Sequence, residues 1–448
     1  MKRYLYTIAL IIVWTSLNAQ TQPWSLEKCI AYGIEHNIAV KRYELAKENQ
    51  EITSETTRLS RLPDLSANVG QTFYFGRTPD RDGVYQDQTG SNSSLNVSTN
   101  LNLFSGFQVT NQIKADRLDL NAAVEDLNKA REDVSLAITG YYLQMLLAKE
   151  LYKIALDQLE LNKEQVVQTE ALVKGGKSSE SELYDAQAAM AQQQMSVTEA
   201  ANNLDLSRLS LTQALNLQEL EDFDIEVPDM AETILKEKSR LCLPADVYAR
   251  SVMERPVIRA AEFRVGSSRK TLQIAKGAYY PSLRLGAGYS NSYYYNYSLA
   301  SGTGNASLAD QWAQNGAESV GLSLSIPIFN RMTTRNRVRS AQLNIKNQEL
   351  LLDQARQDLF KEVQQAYYNA TAAHDKYMSS ETAVAAAQLA FDFEKQKYNA
   401  GRSNTYAFNQ VRLRLASALS ESAQAKYNFL FRTRILAFYN GATLTDLP

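Results

Sequence analysis

The sequence predicts an internally duplicated α+β membrane protein in which each chain contributes four β-strands and several long α-helices. Three observations support this prediction: a leader-like N-terminus, two copies of one pattern, and alternating segments long enough to cross a bilayer. The 448 residues include 47 Lys+Arg against 49 Asp+Glu. Because the charge is nearly balanced and no basic cluster is dense, we expect no nucleic-acid partner.

The N-terminus has the layout of a secretory signal peptide. Lys2 and Arg3 precede an apolar run through about Leu17, which is too short for a stable membrane span. We expect cleavage after Ala19, so that residues 1–19 form the signal peptide. No run of about eighteen apolar residues follows, so strands must carry the mature chain if it lies in a membrane.

The mature chain contains one pattern twice. Pro63 and Pro281 occupy matching positions, and Phe104 and Phe329 occupy matching positions at a slightly longer spacing. The spacing that joins the two phenylalanines holds without a gap through the two glycines Gly176 and Gly401. Two repeats of one unit therefore account for nearly the whole chain.

The repeats suggest a division of the chain into successive parts. We assign the first repeat to residues 20–217, a linker or equatorial segment to 218–243, the second repeat to 244–441 and a short tail to 442–448. The two spacings differ because windows 76–93 and 294–318, which are rich in Gly, Asn, Ser and Asp, are unequal in length. We interpret both windows as exposed connections.

Alternating segments flank the two windows. Apolar residues alternate with small or polar ones in four stretches, each about ten residues long, which suits a tilted membrane strand. The positions on the apolar face are Leu65, Ala67, Val69, Phe73 and Phe75; Leu95, Val97, Thr99, Leu101 and Leu103; Leu283, Leu285, Ala287, Tyr289 and Tyr293; and Val320, Leu322, Leu324, Ile326 and Ile328. A soluble sandwich would show the same alternation.

The polar positions favour the membrane interpretation. Asn, Ser, Gly and Arg284 suit a water-filled lumen better than a packed core, with the apolar residues turned to lipid. Several tyrosines near the ends of these segments would form an aromatic girdle at the membrane interface: Tyr74, Tyr289, Tyr293, Tyr294, Tyr295 and Tyr297. The lipid bilayer is therefore an expected partner.

Each second strand leads into a very long helix. No Gly or Pro lies between Asn330 and Ala400, and apolar residues recur there at steps of three and four. Helices are expected over residues 107–174 and 332–399, each about 100 Å long at 1.5 Å per residue. A helix of that length must pack lengthwise against partners.

A glycine ends each long helix, and a second helix begins within a few residues. Gly176 and Gly401 supply the left-handed conformation of a helix end, after which Ser178 or Ser179, and Ser403 or Asn404, can cap the next helix. Gly-Gly-Lys-Ser at 175–178 is not a phosphate-binding loop, because a helical segment precedes it and the expected first glycine is Ala171.

Four strands are too few to close a barrel, and open edges cannot face lipid. Three copies would give a barrel of twelve strands, with twelve helical segments continuing the tube on one side. This order of elements, present twice, resembles the TolC family of outer-membrane efflux proteins. The motifs that carry the resemblance are WSLEKCIAYGIEHN at 24–37, Pro-x-Leu before each first strand, the Phe104 and Phe329 regions, and KYNAGRSNTYAFNQVRLRLASA at 397–418.

The resemblance implies a homotrimeric channel through the bacterial outer membrane with a long periplasmic extension. It implies a periplasmic adaptor protein and an inner-membrane pump as partners, no enzymatic activity, and no cofactor or metal. The hairpin tips of the family dock onto the adaptor. Here these are Gly175, Gly176, Lys177 and Ser178 in the first repeat and Gly401, Arg402 and Ser403 in the second.

The resemblance also implies a periplasmic gate near the tips. The acidic gate positions fall on Glu182 and Asp185 in the first repeat, whereas the second repeat has Ala407 and Gln410 in the matching places. Tyr398 matches an aromatic residue of the closed state, and Arg402 lies one place from the usual arginine. An alternative is that the two carboxylates are solvated charges near a helix N-terminus.

Other interpretations remain open. The two cysteines, Cys29 and Cys242, would either pair in an oxidising compartment or remain buried thiols. The two histidines, His36 and His374, are expected to be structural, since they form no cluster. An exported coiled-coil or adhesin-like protein without a pore is the alternative function, and a hydrolase lacks a recognisable catalytic motif.

Overall fold

The computed structural model describes residues 23–79, 83–217, 223–228, 243–298, 304–442 and 444. The predicted signal peptide, most of the predicted linker, and Cys242 lie outside these residues. Pairing of Cys29 with Cys242 therefore stays untested. Cys29 itself is fully buried, and burial raises the pKa of its thiol to about 12.

The described elements follow one order in each half of the chain. The first half contains α1 (Leu26–His36), α2 (Ile38–Leu59), β1 (Ser66–Pro79), β2 (Tyr85–Ser105), α3 (Gln108–Lys174) and α4 (Glu180–Leu215). The second contains α5 (Pro244–Glu254), α6 (Pro256–Gly277), β3 (Ser282–Asn296), α7 (Leu308–Gln314), β4 (Ala317–Ser325), α8 (Thr333–Asn399) and α9 (Thr405–Tyr439). No helix in the described part of the chain is both long and apolar enough for a membrane span.

The predicted duplication is confirmed by the element boundaries. Helices α1 and α5 have 11 residues each, and α2 and α6 have 22 residues each. Both pairs begin and end at the spacing that joins Pro63 to Pro281, whereas α3 and α8 follow the spacing that joins Phe104 to Phe329. The two long helices have 67 residues each and begin one residue later than expected. Each of the two sequence spacings therefore relates whole helices of the first half to their counterparts in the second half.

The chain divides into two compact units. One contains the described residues within 1–45, 125–259 and 354–448, and the other contains those within 46–124 and 260–353. In the first unit, α1 packs its buried face against α3, and a Cβ atom on Gly33 would lie 2.1 Å from Ile138 Cδ1. The backbone of Trp24 pairs with Asp224 and Glu226, which fixes this part of the predicted equatorial segment beside the core.

The second unit holds a four-stranded antiparallel sheet in the order β1-β2-β3-β4. Its register places the alternating residues of all four strands on two distinct faces. The apolar face is widely exposed in one chain, with Val69 and Val320 both 80% and Phe75 78% exposed. A filament without strands is therefore the wrong description, and this face needs an apolar neighbour.

The predicted strand lengths and connections were partly wrong. Strands β1 to β4 have 14, 21, 15 and 9 residues, not about ten each. Window 76–93 is mostly paired strand, with Arg77 opposite Asp87, and window 294–318 contains α7. These strands were mistaken for loops because their residues are mostly polar. Backbone hydrogen bonds form equally well between polar residues, and a pair of strands exposed to water on both faces needs no alternation of apolar residues.

The edge of β3 at residues 292–296, near the C-terminal end of the strand, is covered by side-chain amides. Strand β4 pairs with β3 only as far as Ser290, so the edge at residues 292–296 lacks a strand neighbour. Asn315 Nδ2 donates to Ser292 O at 2.6 Å, and Gln311 both accepts from Tyr294 N–H at 2.9 Å and donates to Tyr294 O at 2.8 Å. Asn305 makes the same two-way contact with Asn296, at 2.8 and 2.9 Å.

These amides replace a neighbouring strand at alternate residues, because a carboxamide carries the same donor and acceptor as a peptide group. The cap withdraws this stretch of β3 from edge-to-edge pairing, which is a common liability of open sheets. The pairing edge that remains on this side of the sheet is β4.

We predict that Gln311→Leu exposes the edge of β3 at Tyr294. Loss of one two-way hydrogen bond should speed amide exchange at residues 292–296 by about tenfold. Hydrogen–deuterium exchange measures this directly. Gln314→Leu, on the exposed side of the same helix, is the matched control, and equal exchange in the two variants would refute the cap.

Candidate functional site

The first hairpin tip joins α3 to α4. Gly176 adopts a left-handed conformation with φ +65°. Its N–H donates to Val173 O at 2.9 Å, and the Lys177 N–H donates to Leu172 O at 2.8 Å. This pair of bonds is the Schellman arrangement, which satisfies the last carbonyl groups of a helix and requires a left-handed residue.

The second tip repeats this arrangement at the matching place in the second half. Gly401 has φ +69°, its N–H donates to Tyr398 O at 3.0 Å, and the Arg402 N–H donates to Lys397 O at 2.8 Å. Both turns follow a long helix, which confirms that Gly-Gly-Lys-Ser is a helix-to-helix turn and not a phosphate-binding loop.

Side-chain caps begin the helices that leave the tips. Ser179 Oγ accepts from Glu182 N–H at 3.4 Å, and Asn404 Oδ1 accepts from Ala407 N–H at 2.8 Å. These are the second of the two residues proposed for each cap. The predicted docking residues lie at the surface: Gly175, Gly176, Lys177, Gly401 and Arg402 are exposed, while Ser178 and Ser403 are half-buried.

The predicted gate residues form two separate sets within one chain. Glu182 is half-buried and accepts a hydrogen bond from Ser178 Oγ, whereas Asp185 is exposed. Tyr398 stacks on Phe408 with ring centroids 4.8 Å apart, and Arg402 is exposed. Among the described residues, no hydrogen bond or ion pair joins the first set to the second.

The two tips differ in charge. Helix α4 begins with Glu180 and Glu182, and Asp185 follows, so its N-terminus has the negative charge that a helix dipole favours. Helix α9 has no acidic residue before Glu421 and carries Arg412 and Arg414. The first hairpin tip is therefore acidic, and the second is neutral to basic.

An aromatic cluster packs beneath the second tip. Phe391 and Phe408 are buried with Ala387 and Leu415, and Tyr398 packs against them. The matching positions of the first repeat hold Val166 for Phe391 and Leu183 for Phe408. The second tip therefore has larger, aromatic side chains where the first has aliphatic ones, and aromatic rings can bury more surface.

A buried polar contact links the two hairpins above the tips. Arg412 is 3% exposed, and its Nη1 donates to Oε1 of Gln165, which is 5% exposed, at 2.7 Å. Burial lowers the pKa of the Arg412 guanidinium, and no carboxylate of the described residues pairs with it. Nearby on α3, the buried Thr169 hydroxyl has no partner among the described residues.

This contact was not predicted from the sequence. Its two residues lie 247 positions apart, and an arginine within VRLRLA resembles the exposed arginines beside it. The one available signal was the helical period, which places Arg412 on the same face as Phe408 and Leu415.

We predict that Gln165→Leu destabilises the protein more than the double substitution Gln165→Leu with Arg412→Met. The single change leaves a buried guanidinium without an acceptor, at a cost of about 2 kcal/mol, whereas the double change replaces both partners by apolar groups. Apparent melting temperatures of the wild type, both single variants and the double variant test this. Additive losses would show that the pair is not coupled.

Catalytic and metal-binding constellations are not evident in the described part of the chain. No group of three or more His, Cys, Asp or Glu side chains is placed there to hold a metal ion. His36 stacks on Tyr32 at 3.9 Å, and His374 Nδ1 lies 3.1 Å from Asp375 Oδ1. Both histidines thus have local structural partners.

Comparison with known sequences identifies one family. The family model "Outer membrane efflux protein" matches residues 35–217 and 247–441, one range within each repeat. Protein CyaE of Bordetella pertussis is 22% identical over 306 residues, which are 68% of this chain and 61% of CyaE. Outer membrane protein TolC of Escherichia coli K12 is 24% identical over 384 residues, which are 82% of this chain and 72% of TolC.

Comparison with solved structures agrees. The Campylobacter jejuni CmeC outer membrane channel superposes with a TM-score of 0.74 over 93% of this chain and 85% of CmeC, at 16% identity. At this identity the likeness establishes the fold. The chain therefore belongs to the outer membrane efflux protein family and has the duplicated TolC-like fold of that family.

Proposed function

We propose that this protein is an outer-membrane export channel that acts as the passive exit duct of a tripartite efflux or secretion system. Three copies would join their sheets into one barrel of twelve strands, and their helices would continue the tube into the periplasm. Transport energy would come from an inner-membrane pump, through a periplasmic adaptor. The observation that carries the proposal is a four-stranded sheet with two open edges and two chemically distinct faces.

The polar face of the sheet suits the lining of a water-filled pore. In register it carries Asn68 beside Asn96 and Ser290, and Asn102 beside Arg284 and Ser323. Arg284 is the one charged residue on this face among the described paired residues, and its Nε donates to Asn102 Oδ1 at 3.1 Å. Small uncharged polar side chains hydrate easily and leave room for solutes.

The opposite face suits contact with lipid. Val69, Phe75, Val320, Leu322 and Leu324 are between 60 and 80% exposed in a single chain. In water such a surface would drive aggregation, whereas in a bilayer it loses no favourable interaction. The aromatic side chains of Tyr293, Tyr295 and Tyr297 form a row of rings 4.8 to 6.4 Å apart near the loop end, as expected for an interfacial girdle.

We propose that the two hairpin tips dock onto the adaptor and that the gate residues lie beside them. The tips carry exposed glycine turns with one cation each, Lys177 and Arg402. In this scheme Glu182 and Asp185 of one copy would face Tyr398 and Arg402 of the next when the tube is closed. Adaptor binding would splay the helices and separate these groups.

We predict that deletion of residues 174–180 abolishes export but leaves trimers intact. The reason is that the deleted turn lies outside the buried clusters and outside the sheet, so assembly does not need it. Export of a reporter drug is measured in cells that lack their own outer-membrane duct and contain the adaptor and pump encoded near this protein. Wild-type resistance in the deletion strain would refute the docking role.

Charge-reversal variants test the docking role without deleting residues, so a folding defect cannot explain their effect as easily. Lys177→Glu with Arg402→Glu should lower export by about tenfold, because charge reversal at an interface converts attraction into repulsion. Lys153→Glu with Lys376→Glu makes the same changes on exposed helix faces away from the tips and should leave export unchanged. Equal losses in both pairs would indicate a general charge effect.

A further inference from the structure

The junction of β4 and α8 carries an unusual excess of positive charge. Between Ser319 and Gln348 there are five basic residues and no acidic one: Arg331, Arg335, Arg337, Arg339 and Lys346. The matching stretch of the first repeat, residues 94–123, has two basic and two acidic residues and is neutral. Because both repeats have the same fold, folding alone does not require this charge.

The four arginines of this junction, here called the basic collar, have no partner within the described part of the chain. Arg331, Arg335, Arg337 and Arg339 are exposed, and no described residue forms an ion pair or side-chain hydrogen bond with them. Further along α8 the pattern changes, since Glu349 pairs with Arg269 at 2.9 Å. The positive charge of the collar is therefore available to an external anion.

An apolar recess adjoins the collar. A cavity of about 270 Å³ is lined by Tyr279, Pro327, Ile328, Phe329, Met332 and Arg335, among others. Ile328 is 94% and Phe329 75% exposed, which is extreme for residues of this size. In the sequence, the alternation of apolar residues continues past the end of β4 at Ser325 as far as Ile328, so the recess directly follows the apolar row of β4 along the chain.

Helix geometry joins the recess to the collar. Arg335 lines the recess, and Arg339 lies one turn further along the same face of α8. A ligand at this place would meet one or two guanidinium groups above and aliphatic or aromatic side chains below. That combination matches a phosphate group attached to an acyl chain, since guanidinium binds phosphate in a bidentate manner.

We infer that the junction of β4 and α8 binds the headgroup of an anionic phospholipid. The phosphate would contact Arg335 and Arg339, and the upper acyl chain would cover Ile328 and Phe329. Basic side chains at the boundary of a membrane-spanning region attract anionic lipids in this way. This inference rests on the proposed function, because it requires the apolar face to lie in a bilayer.

The test compares lipids retained by the purified oligomer. Detergent-extracted protein is incubated with equal amounts of phosphatidylglycerol and phosphatidylethanolamine, and bound lipids are counted by native mass spectrometry. We expect the wild type to retain phosphatidylglycerol preferentially. Arg335→Gln with Arg339→Gln should lower that retention by about thirtyfold, the size expected for two arginines that each contribute about 1 kcal/mol at an anionic surface.

The first repeat offers a matched control. Lys114→Gln with Arg117→Gln also removes two exposed positive charges, and Lys114 is the counterpart of Arg339. This variant should retain phosphatidylglycerol like the wild type. Complete displacement of the lipid by millimolar inorganic phosphate would show a simple anion site and would overturn the lipid assignment.

The remaining outcomes distinguish two failures. If the wild type gives no detergent-stable oligomer, the proposed channel fails. If oligomers form but the collar variant retains as much phosphatidylglycerol as the wild type, the channel stands and the lipid site is refuted. If the collar variant instead dissociates while the lipid count per chain is unchanged, a second copy covers the recess, and the lipid site is again refuted.

Discussion

The structure depends on the open edges of its sheet. Strands β1 and β4 each leave one row of peptide groups without a neighbour, and unpaired peptide groups are costly wherever water is absent. The chain resolves this problem locally at residues 292–296 of β3, where three side-chain amides replace a strand. It has no comparable device along β4 among the described residues, which is why we propose that β4 pairs with another copy of the chain.

The two repeats share one backbone arrangement but carry side chains of different charge and size. The tips of both repeats have the same glycine turn, yet the first is acidic and aliphatic, whereas the second is neutral to basic and packs on an aromatic cluster. The same contrast appears at the other end of the long helices, where only the second repeat carries the basic collar. Because the features shared by both repeats already account for the fold, we propose that the differences between the repeats serve function.

Much of this architecture could be predicted from the sequence because periodic patterns of apolar residues and the positions of glycine determine it. Helix ends at Lys174 and Asn399 follow from glycine, and the 67-residue helices follow from the absence of helix breakers. Strand lengths could not be predicted in the same way, because the upper parts of β1 and β2 are polar on both faces and match the composition of a loop. The amide cap on β3 and the contact of Arg412 with Gln165 each depend on specific pairs of residues, and no sequence motif marks those pairs. For Arg412 the helical period indicates a buried position but not the partner.

The gate and docking residues could not be predicted from periodic patterns as the fold could. Their assignment rests on position after a glycine, and within one chain Glu182 and Asp185 do not meet Tyr398 or Arg402. The central claim is that several chains share one wall, and the mass of the detergent-extracted protein tests it most directly. Light scattering should give three times the mass of one mature chain, whereas a single-chain particle that stays soluble without detergent would contradict the account.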